Sequence, residues 1–330
     1  MSNASEMSGR PFDDMIKLIQ SAPDIDHATQ DIMRDTLAGI SQQSDPLGSF
    51  KENLLWLGGW QKRAQPVIAR PLIAVFAGSH KIATAYLEGD IIAKAKARVE
   101  EMTQGPAGVR GVSAGQNMAY KVYEMGLDYP SENFLDAPSL SERDTAAAMA
   151  FGMEVVAEGA DIIGFGNAGL GSATGAAAIA LSLYGGAASY WADGQDARAQ
   201  SRIEIVEKAH AQHRAALTSP LEILRHFGGR DIAGLVGAII AARHQSIPIV
   251  LDGFVVSSAA AIIHAINPSA IDHCIAGHLS AEPAHAALLE RLGLTPLMDF
   301  GFGRGDGLGA AMAIGVLKMG ANAYQLMIDG

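Results

Sequence analysis

The chain has 330 residues, 49% of them hydrophobic, and carries 24 lysines and arginines against 35 aspartates and glutamates, a net charge of −11. That length and hydrophobic share allow one large buried core with a smaller appendage. The acidic balance, with no basic cluster interleaved with aromatics, argues against a nucleic-acid surface. No apolar run reaches membrane-span length without a charge or glycine, which argues against a membrane partner. Cys274 is the single cysteine, so an intrachain disulfide is excluded and the residue reads as a small buried hydrophobe. The start lacks the basic-then-apolar pattern of a secretory leader, and a cytoplasmic protein is expected.

In chain order, Phe12, Met15, Ile16 and Ile19 recur at helical spacing up to Pro23, and Ile32, Met33, Leu37 and Ile40 do so again before the break at 45–48. A short helix is expected from Asn53 to Trp60. Pro71 to Ala77 reads as a buried strand ending at Gly78-Ser79-His80. A helix from Gly89 to Thr103, a Gly105-Pro106 break and a short strand from Ala119 to Gly126 follow. Thr145 to Glu158 reads as helix, Ala160 to Gly166 as strand and Ala176 to Tyr184 as helix. Ile203 to Ala215 is an amphipathic helix, and Leu221 to Phe227 and Ile232 to Ala242 are helices split by Gly228-Gly229. The run 247–251 is a strand broken at Asp252-Gly253, and Ser257 to Ala265 a small-residue helix. A second apolar stretch ends in Gly277-His278-Leu279-Ser280. After one more helix, with Glu282 in its first turn, comes a loop with glycine at 301, 303, 305, 307 and 309. Strands alternating with helices predict an α/β fold with a mostly parallel sheet and ligands at the strands' carboxyl ends.

Three stretches could carry chemistry. Residues 164–175 place glycine at 164, 166, 169, 171 and 175 between a strand and a helix, a pattern that frees backbone N–H groups for an anion, or otherwise makes a tight packing turn. Ser280 in GHLSAE at 277–282 suits a helix N-cap facing a ligand, and His278 reads as a core histidine. The C-terminal glycine loop carries Arg304 and Asp306, where an aspartate beside glycine is either a catalytic acid or a turn stabiliser. Arg202 either contacts a phosphate or pairs with Asp196, Glu204 or Glu207.

The runs DPLGSF (45–50), FAGSH (76–80), GFGNAGLGSATGAAA (164–178), LEILRHFGGRDIAGLVGAI (221–239), LDGF (251–254) and GHLSAE (277–282) resemble the nicotinate-nucleotide:dimethylbenzimidazole phosphoribosyltransferases. The last three are the most specific, and a weaker likeness extends from about Asp45 to the chain's end. The resemblance implies a Rossmann-like three-layer domain over residues 66–310 and a small helical domain from residues 1–65 with 311–330. It implies transfer of a 5-phosphoribosyl group from nicotinate mononucleotide to a benzimidazole-like or purine-like base, in a homodimer. No cofactor or metal is implied, because the pyridinium is already a good leaving group.

Carried over by position, the family's C-terminal glutamate, which takes the proton from the attacking benzimidazole nitrogen, falls at Asp306 if a two-residue insertion is allowed, and at Arg304 otherwise. The phosphate and ribose residues fall at Gly166, Asn167, Gly169, Gly171, Ser172, Thr174, Arg202, Gly277 and Ser280. Asn167 stands where the family has a glutamate, and Arg202 where it has a lysine. The family's loop lysine is missing from Ser44-Asp45-Pro46-Leu47-Gly48-Ser49-Phe50. The base pocket falls on Ser79, His80, Asp90, Arg98 and Arg304. An alternative is a diverged member that only binds a nucleotide, as a sensor or partner subunit. Asn167, Ser79, Asp90 and Arg98 favour it, whereas Asp306, GHLSAE and LDGF favour the enzyme.

Overall fold

The computed structural model describes residues 10–40, 46–194 and 198–329. Helices α1 (Pro11–Gln20), α2 (His27–Ile40) and α3 (Lys51–Gln61) precede β1 (Pro71–Ala77). Next come α4 (Ile91–Gln104), α5 (Gly108–Gly115), β2 (Ala119–Glu124), α6 (Glu142–Met153) and β3 (Ile162–Asn167). Helices α7 (Ser172–Tyr184), α8 (Ala188–Ala192), α9 (Ala199–His213), α10 (Pro220–Phe227) and α11 (Gly229–His244) lead to β4 (Ile249–Leu251). The chain closes with α12 (Gly253–Ile266), β5 (Cys274–Ala276), β6 (Leu279–Ser280), α13 (Pro283–Leu292), β7 (Asp299–Phe302) and α14 (Leu308–Asp329).

A five-stranded, wholly parallel sheet in the order β2-β1-β3-β4-β5 forms the centre. Strand β1 explains the layers. Leu72, Ala74 and Phe76 enter one apolar cluster, while Ile73, Val75 and Ala77 enter another on the opposite face. A strand with period-two side chains, buried on both sides, requires helices above and below it. The first face is covered by α1, α6, α7, α10, α11 and α12, and the second by α3, α4, α5 and α14. This is the three-layer α/β arrangement expected from the sequence. Helix α1 packs on α6 and α12, whereas α2 packs on α3, and α14 runs from β3 and β4 to both of them. No described helix is long and apolar enough to cross a membrane.

Two helices begin a turn earlier than their apolar periodicity predicts, α7 at Ser172 and α12 at Gly253. Gly171 (φ +103°) and Gly253 (φ +80°) turn the chain almost at once from strand into helix, a conformation that side chains with a Cβ rarely adopt. Residues 299–302, read from the sequence as part of the glycine loop, instead form β7, which pairs with β6 in a second, two-stranded sheet.

Helices α6 and α11 touch backbone to backbone. A Cβ on Gly152 would lie 1.9 Å from the Gly234 carbonyl oxygen, and one on Gly237 would lie 1.9 Å from that of Met149. One added methyl there has nowhere to go. Gly237→Ala should therefore lower the unfolding free energy in a urea titration by about 1–3 kcal/mol. Gly111→Ala on α5, where nothing lies within 4 Å of the new methyl, should not.

Candidate active site

The sheet order reverses between β1 and β3, and parallel α/β sheets open a ligand crevice where such a reversal occurs. A cavity of about 600 Å³ lies there. Its walls are Asn167 and Gly169 after β3, Phe254 and Val255 at the start of α12, Glu282 before α13, one face of α4, and the loop 303–306. Along α4 the lining positions are 94, 97, 98, 101 and 102, the spacing of a single helical face. A second cavity of about 370 Å³ adjoins it, sharing Ala173, Phe254, Glu282 and Gly303, and reaches Arg202 on α9. The N-termini of α7, α12 and α13 contribute Ala173, Phe254 and Pro283 to this second cavity, so the positive ends of three helix dipoles border it and favour an anion, with Asp193 and Glu282 opposing.

Asp306 faces the main cavity and is 6% exposed. Its Oδ1 has no hydrogen-bond partner. Burial raises its pKa above the usual carboxylate value, and the charge of Asp252 pushes the same way; the Leu308 amide, Arg304 and Arg98 oppose the rise. Arg304, the other position open to the family's glutamate, is 69% exposed at its side chain and lies 3.3 Å from Glu101. Of the two, only Asp306 offers a buried carboxylate with a free acceptor.

Asp252 holds that loop in place. Its Oδ2 accepts the Gly307 amide at 2.7 Å and its Oδ1 the Ala310 amide at 2.8 Å, so a carboxylate at the end of β4 caps α14. His278 Nε2 lies 3.1 Å from the same Oδ1, an ion pair whenever the imidazole is protonated. A Cβ on Gly309 would come within 2.0 Å of the His278 ring, so only glycine lets the helix start this close. His278, read from the sequence as a core histidine, is fully buried. Burial disfavours its charge, but Asp252, the Leu279 backbone and Glu282 together outweigh burial and its pKa rises above the ordinary value.

A second buried carboxylate organises the glycine loop after β3. Asp231 on α11 accepts from His80 Nε2 at 2.8 Å, Asn167 Nδ2 at 2.8 Å and the Ser172 hydroxyl. Burial opposes its ionisation, yet the His80, Ser172 and Asn167 contacts prevail and its pKa falls below the ordinary value. Asn167 Oδ1 accepts the Gly169 amide at 2.9 Å, and its backbone N–H donates to the Gly305 carbonyl at 2.7 Å. The two glycine loops are thus tied to each other. Gly166 sits where a Cβ would meet the Gly307 amide at 2.6 Å, and one on Gly169 would meet Asp231 Oδ2 at 2.0 Å.

Of the residues expected from the sequence, Asn167, Gly169, Arg98, Arg304 and Asp306 line the main cavity, and Arg202 the second. Others turn elsewhere. Ser79 donates to the Leu127 carbonyl, His80 binds Asp231, and Asp90 is an exposed N-cap of α4 accepting the Ile92 and Ala93 amides. None of these three expected base contacts reaches a cavity wall, because each satisfies a polar group of the framework. Thr174 shares a hydrogen bond with Tyr86, Gly171 is the φ-positive turn before α7, and Gly277 leaves room for Ala310 beneath it. Ser280 is buried, its hydroxyl donating to Glu282 Oε2 at 2.7 Å and its amide to His285 Nδ1 at 3.0 Å. Asp196, an expected partner of Arg202, and Ser44-Asp45 lie outside the described residues.

Sequence reasoning overlooked Asp231, Asp252 and Glu282. Asp252 could have been suspected as the acid that ends a buried strand, and Asp231 as the acid opening an apolar helix. Glu282, which lines both cavities, closes the GHLSAE run and reads there only as a first-turn helix residue. Burial raises its pKa, the Ser280 hydroxyl, His278 and Arg202 opposing and Asp252 reinforcing. A histidine with a raised folded-state pKa contributes stability below about pH 6.5, lost as pH climbs through the raised value. Asp252→Asn should lower the His278 pKa, followed by NMR, and flatten that decline in stability. An unshifted imidazole would exclude the ion pair as its cause.

A family model described as phosphoribosyltransferase matches residues 22–329. The nicotinate-nucleotide–dimethylbenzimidazole phosphoribosyltransferase of Rhizobium meliloti (strain 1021) is 41% identical over 324 residues, covering 97% of this chain and 96% of its own. That of Sinorhizobium fredii (strain NBRC 101917 / NGR234) is 42% identical over 321 residues, covering 96% and 95%. The crystal structure of the corresponding protein from Thermus thermophilus superposes with a TM-score of 0.80 at 26% identity, covering 89% of this chain and 96% of the other. The fold and most of the sequence are therefore those of a known group, and the chain belongs to the nicotinate-nucleotide–dimethylbenzimidazole phosphoribosyltransferase family.

Proposed function

We propose that this pentosyltransferase moves the 5-phosphoribosyl group of nicotinate mononucleotide to a ring nitrogen of a benzimidazole-like base, with Asp306 as the general base. The observation that carries the assignment is the unpartnered Oδ1 of Asp306 in the wall of a cavity large enough for a nucleotide. The family membership supplies the reaction class. The 5-phosphate is assigned to the second cavity, where Arg202 and the starts of α7, α12 and α13 provide positive charge. The ribose lies along Asn167 and Gly169. A lone pair on one ring nitrogen of the base forms the new bond to ribose C1′ as the bond from C1′ to the pyridinium nitrogen breaks. The electron pair stays on nicotinate, neutralising its ring. The attacking nitrogen, with its free lone pair, carries no proton. It is therefore the other ring nitrogen, and not the attacking one as the resemblance implied, that gives its proton to Asp306, whose raised pKa keeps it basic enough to take it.

The enzyme is proposed to act in the cytoplasm as a homodimer. The exposed apolar side chains of Ile32, Met319 and Leu326, on the adjoining helices α2 and α14, support that association.

Asp306→Asn keeps the shape of the loop and removes the base. With nicotinate mononucleotide and 5,6-dimethylbenzimidazole, kcat should fall by roughly 10²–10⁴-fold, while nucleotide binding measured by calorimetry persists. In the unsubstituted enzyme kcat/KM should decline as pH drops through the raised Asp306 pKa, because protonation removes the acceptor. An Asp306→Asn enzyme of undiminished rate would disprove the assignment, and nucleotide binding without transfer by the unsubstituted chain would favour a sensor.

A further inference from the structure

The two cavities of the site meet at Ala173, Phe254, Glu282 and Gly303, which line both. With the phosphate in the second cavity and the acceptor base against Asp306 in the main one, the donor has to span this boundary. The part of a mononucleotide between its phosphate and its aromatic ring is the ribose, whose hydroxyls are hydrogen-bond donors. Of the residues at the boundary, only Glu282 has a polar side chain. Asn167, in the wall of the main cavity, already gives its side-chain nitrogen to Asp231 and takes the Gly169 amide on its oxygen. Glu282 is half-buried, and the Ser280 hydroxyl donates to its Oε2 at 2.7 Å. Its Oε1 accepts no hydrogen bond from any described residue.

A chain of contacts holds that carboxylate and reaches back to the start of α12. The Ser280 amide donates to His285 Nδ1 at 3.0 Å, so Nδ1 is the acceptor and the ring proton sits on Nε2, which donates to Ser257 Oγ at 3.1 Å. The Ser257 hydroxyl donates in turn to the Gly253 carbonyl at 2.8 Å. Burial, with the charge of His278 beside it, lowers the His285 pKa to about 3, so the ring is neutral and this tautomer holds. The chain ends by fixing one oxygen of Glu282 and leaving the other available. An acid at this place works against the neighbouring phosphate, but it suits the hydroxyls that must pass it. We propose that Glu282 Oε1 accepts a hydroxyl of the donor's ribose, so that the site distinguishes ribose from deoxyribose. Glu282 is thereby a specificity-determining residue, with Ser280 and His285 positioning it. The inference rests on the phosphoribosyl-transfer reading and adds to it how the sugar is recognised.

The test is calorimetric binding of nicotinate mononucleotide to the full chain beside its 2′-deoxy and 3′-deoxy counterparts, with transfer to 5,6-dimethylbenzimidazole measured in parallel. Binding is the readout because losing a sugar hydroxyl also changes how readily the glycosidic bond breaks. One of the two deoxy forms should bind about tenfold or more weakly, the loss of one charge-assisted hydrogen bond. Glu282→Met, which keeps the length of the side chain without an acceptor, should bind all three alike, and Glu282→Gln should keep part of the preference. Inorganic phosphate, which the acid opposes, should bind the Glu282→Met chain at least as tightly as the unsubstituted one. Equal binding of the three nucleotides by the unsubstituted chain would overturn the proposal, as would a preference that survives undiminished in Glu282→Met and Glu282→Gln. So would a Glu282→Met chain that loses inorganic phosphate as well, because the residue would then serve the fold and not the sugar. Preference for the ribose form without transfer would leave Glu282 as reader of the sugar while removing the reaction. Transfer with equal binding would remove this inference alone.

Discussion

One carboxylate decides where the loop that carries Asp306 can sit. Asp252, at the end of β4, takes the amides of Gly307 and Ala310 and so joins the central sheet to the start of the last helix. Those amides are among the N–H groups a helix leaves unsatisfied at its beginning, and in the interior they need an acceptor. Asp306 is the residue immediately before this anchored pair, so its position follows from the anchor. The anchor also acts on it by charge: two carboxylates in one buried region resist being ionised together, and Asp252 adds to the burial that raises Asp306. The position comes from that anchor, and the raised basicity from burial with the anchor's charge added.

The second constraint is the tie between the two glycine loops. Asn167 gives its side chain to Asp231 and to the Gly169 amide, and its backbone to the Gly305 carbonyl. In the resembled family a glutamate stands at this position. Here the acid is on the neighbouring helix instead, as Asp231, where His80 and Ser172 share it. The amide of Asn167 serves as a donor toward that acid, a role an ionised glutamate could not fill. The exchange therefore reads as a change of framework, with the cavity still open beside it.

Much of the fold was legible because its strands are short, wholly apolar and stopped by glycine or aspartate, and because the helices between them have a clear period. Strand β1 and the α10–α11 break at Gly228 were within a residue or two of expectation. Asp306 was singled out because the resemblance sets the family's glutamate on it, and it lies in the wall of the main cavity. Less could be read where polar residues serve the backbone. Ser79, His80 and Asp90 follow β1 as closely as a ligand-binding loop would, yet they satisfy a carbonyl, a buried acid and a helix start. Their partners lie 48 to 151 residues away for the first two, a separation that no local pattern records. The same distance hid Asp231 and Asp252, whose importance lies in what reaches them.

The backbone contact of α6 with α11 has a consequence for how this protein can change. That layer is filled to the atom at Gly152 and Gly237, so it tolerates almost no alteration in volume. Helix α4, across the sheet, has one side in the core through Val99 and Met102 and another in contact with solvent. New side chains can be tried on that outer side with little harm to folding. The molecule thus separates a half that must stay as it is from a half whose cavity-lining side chains are free to drift.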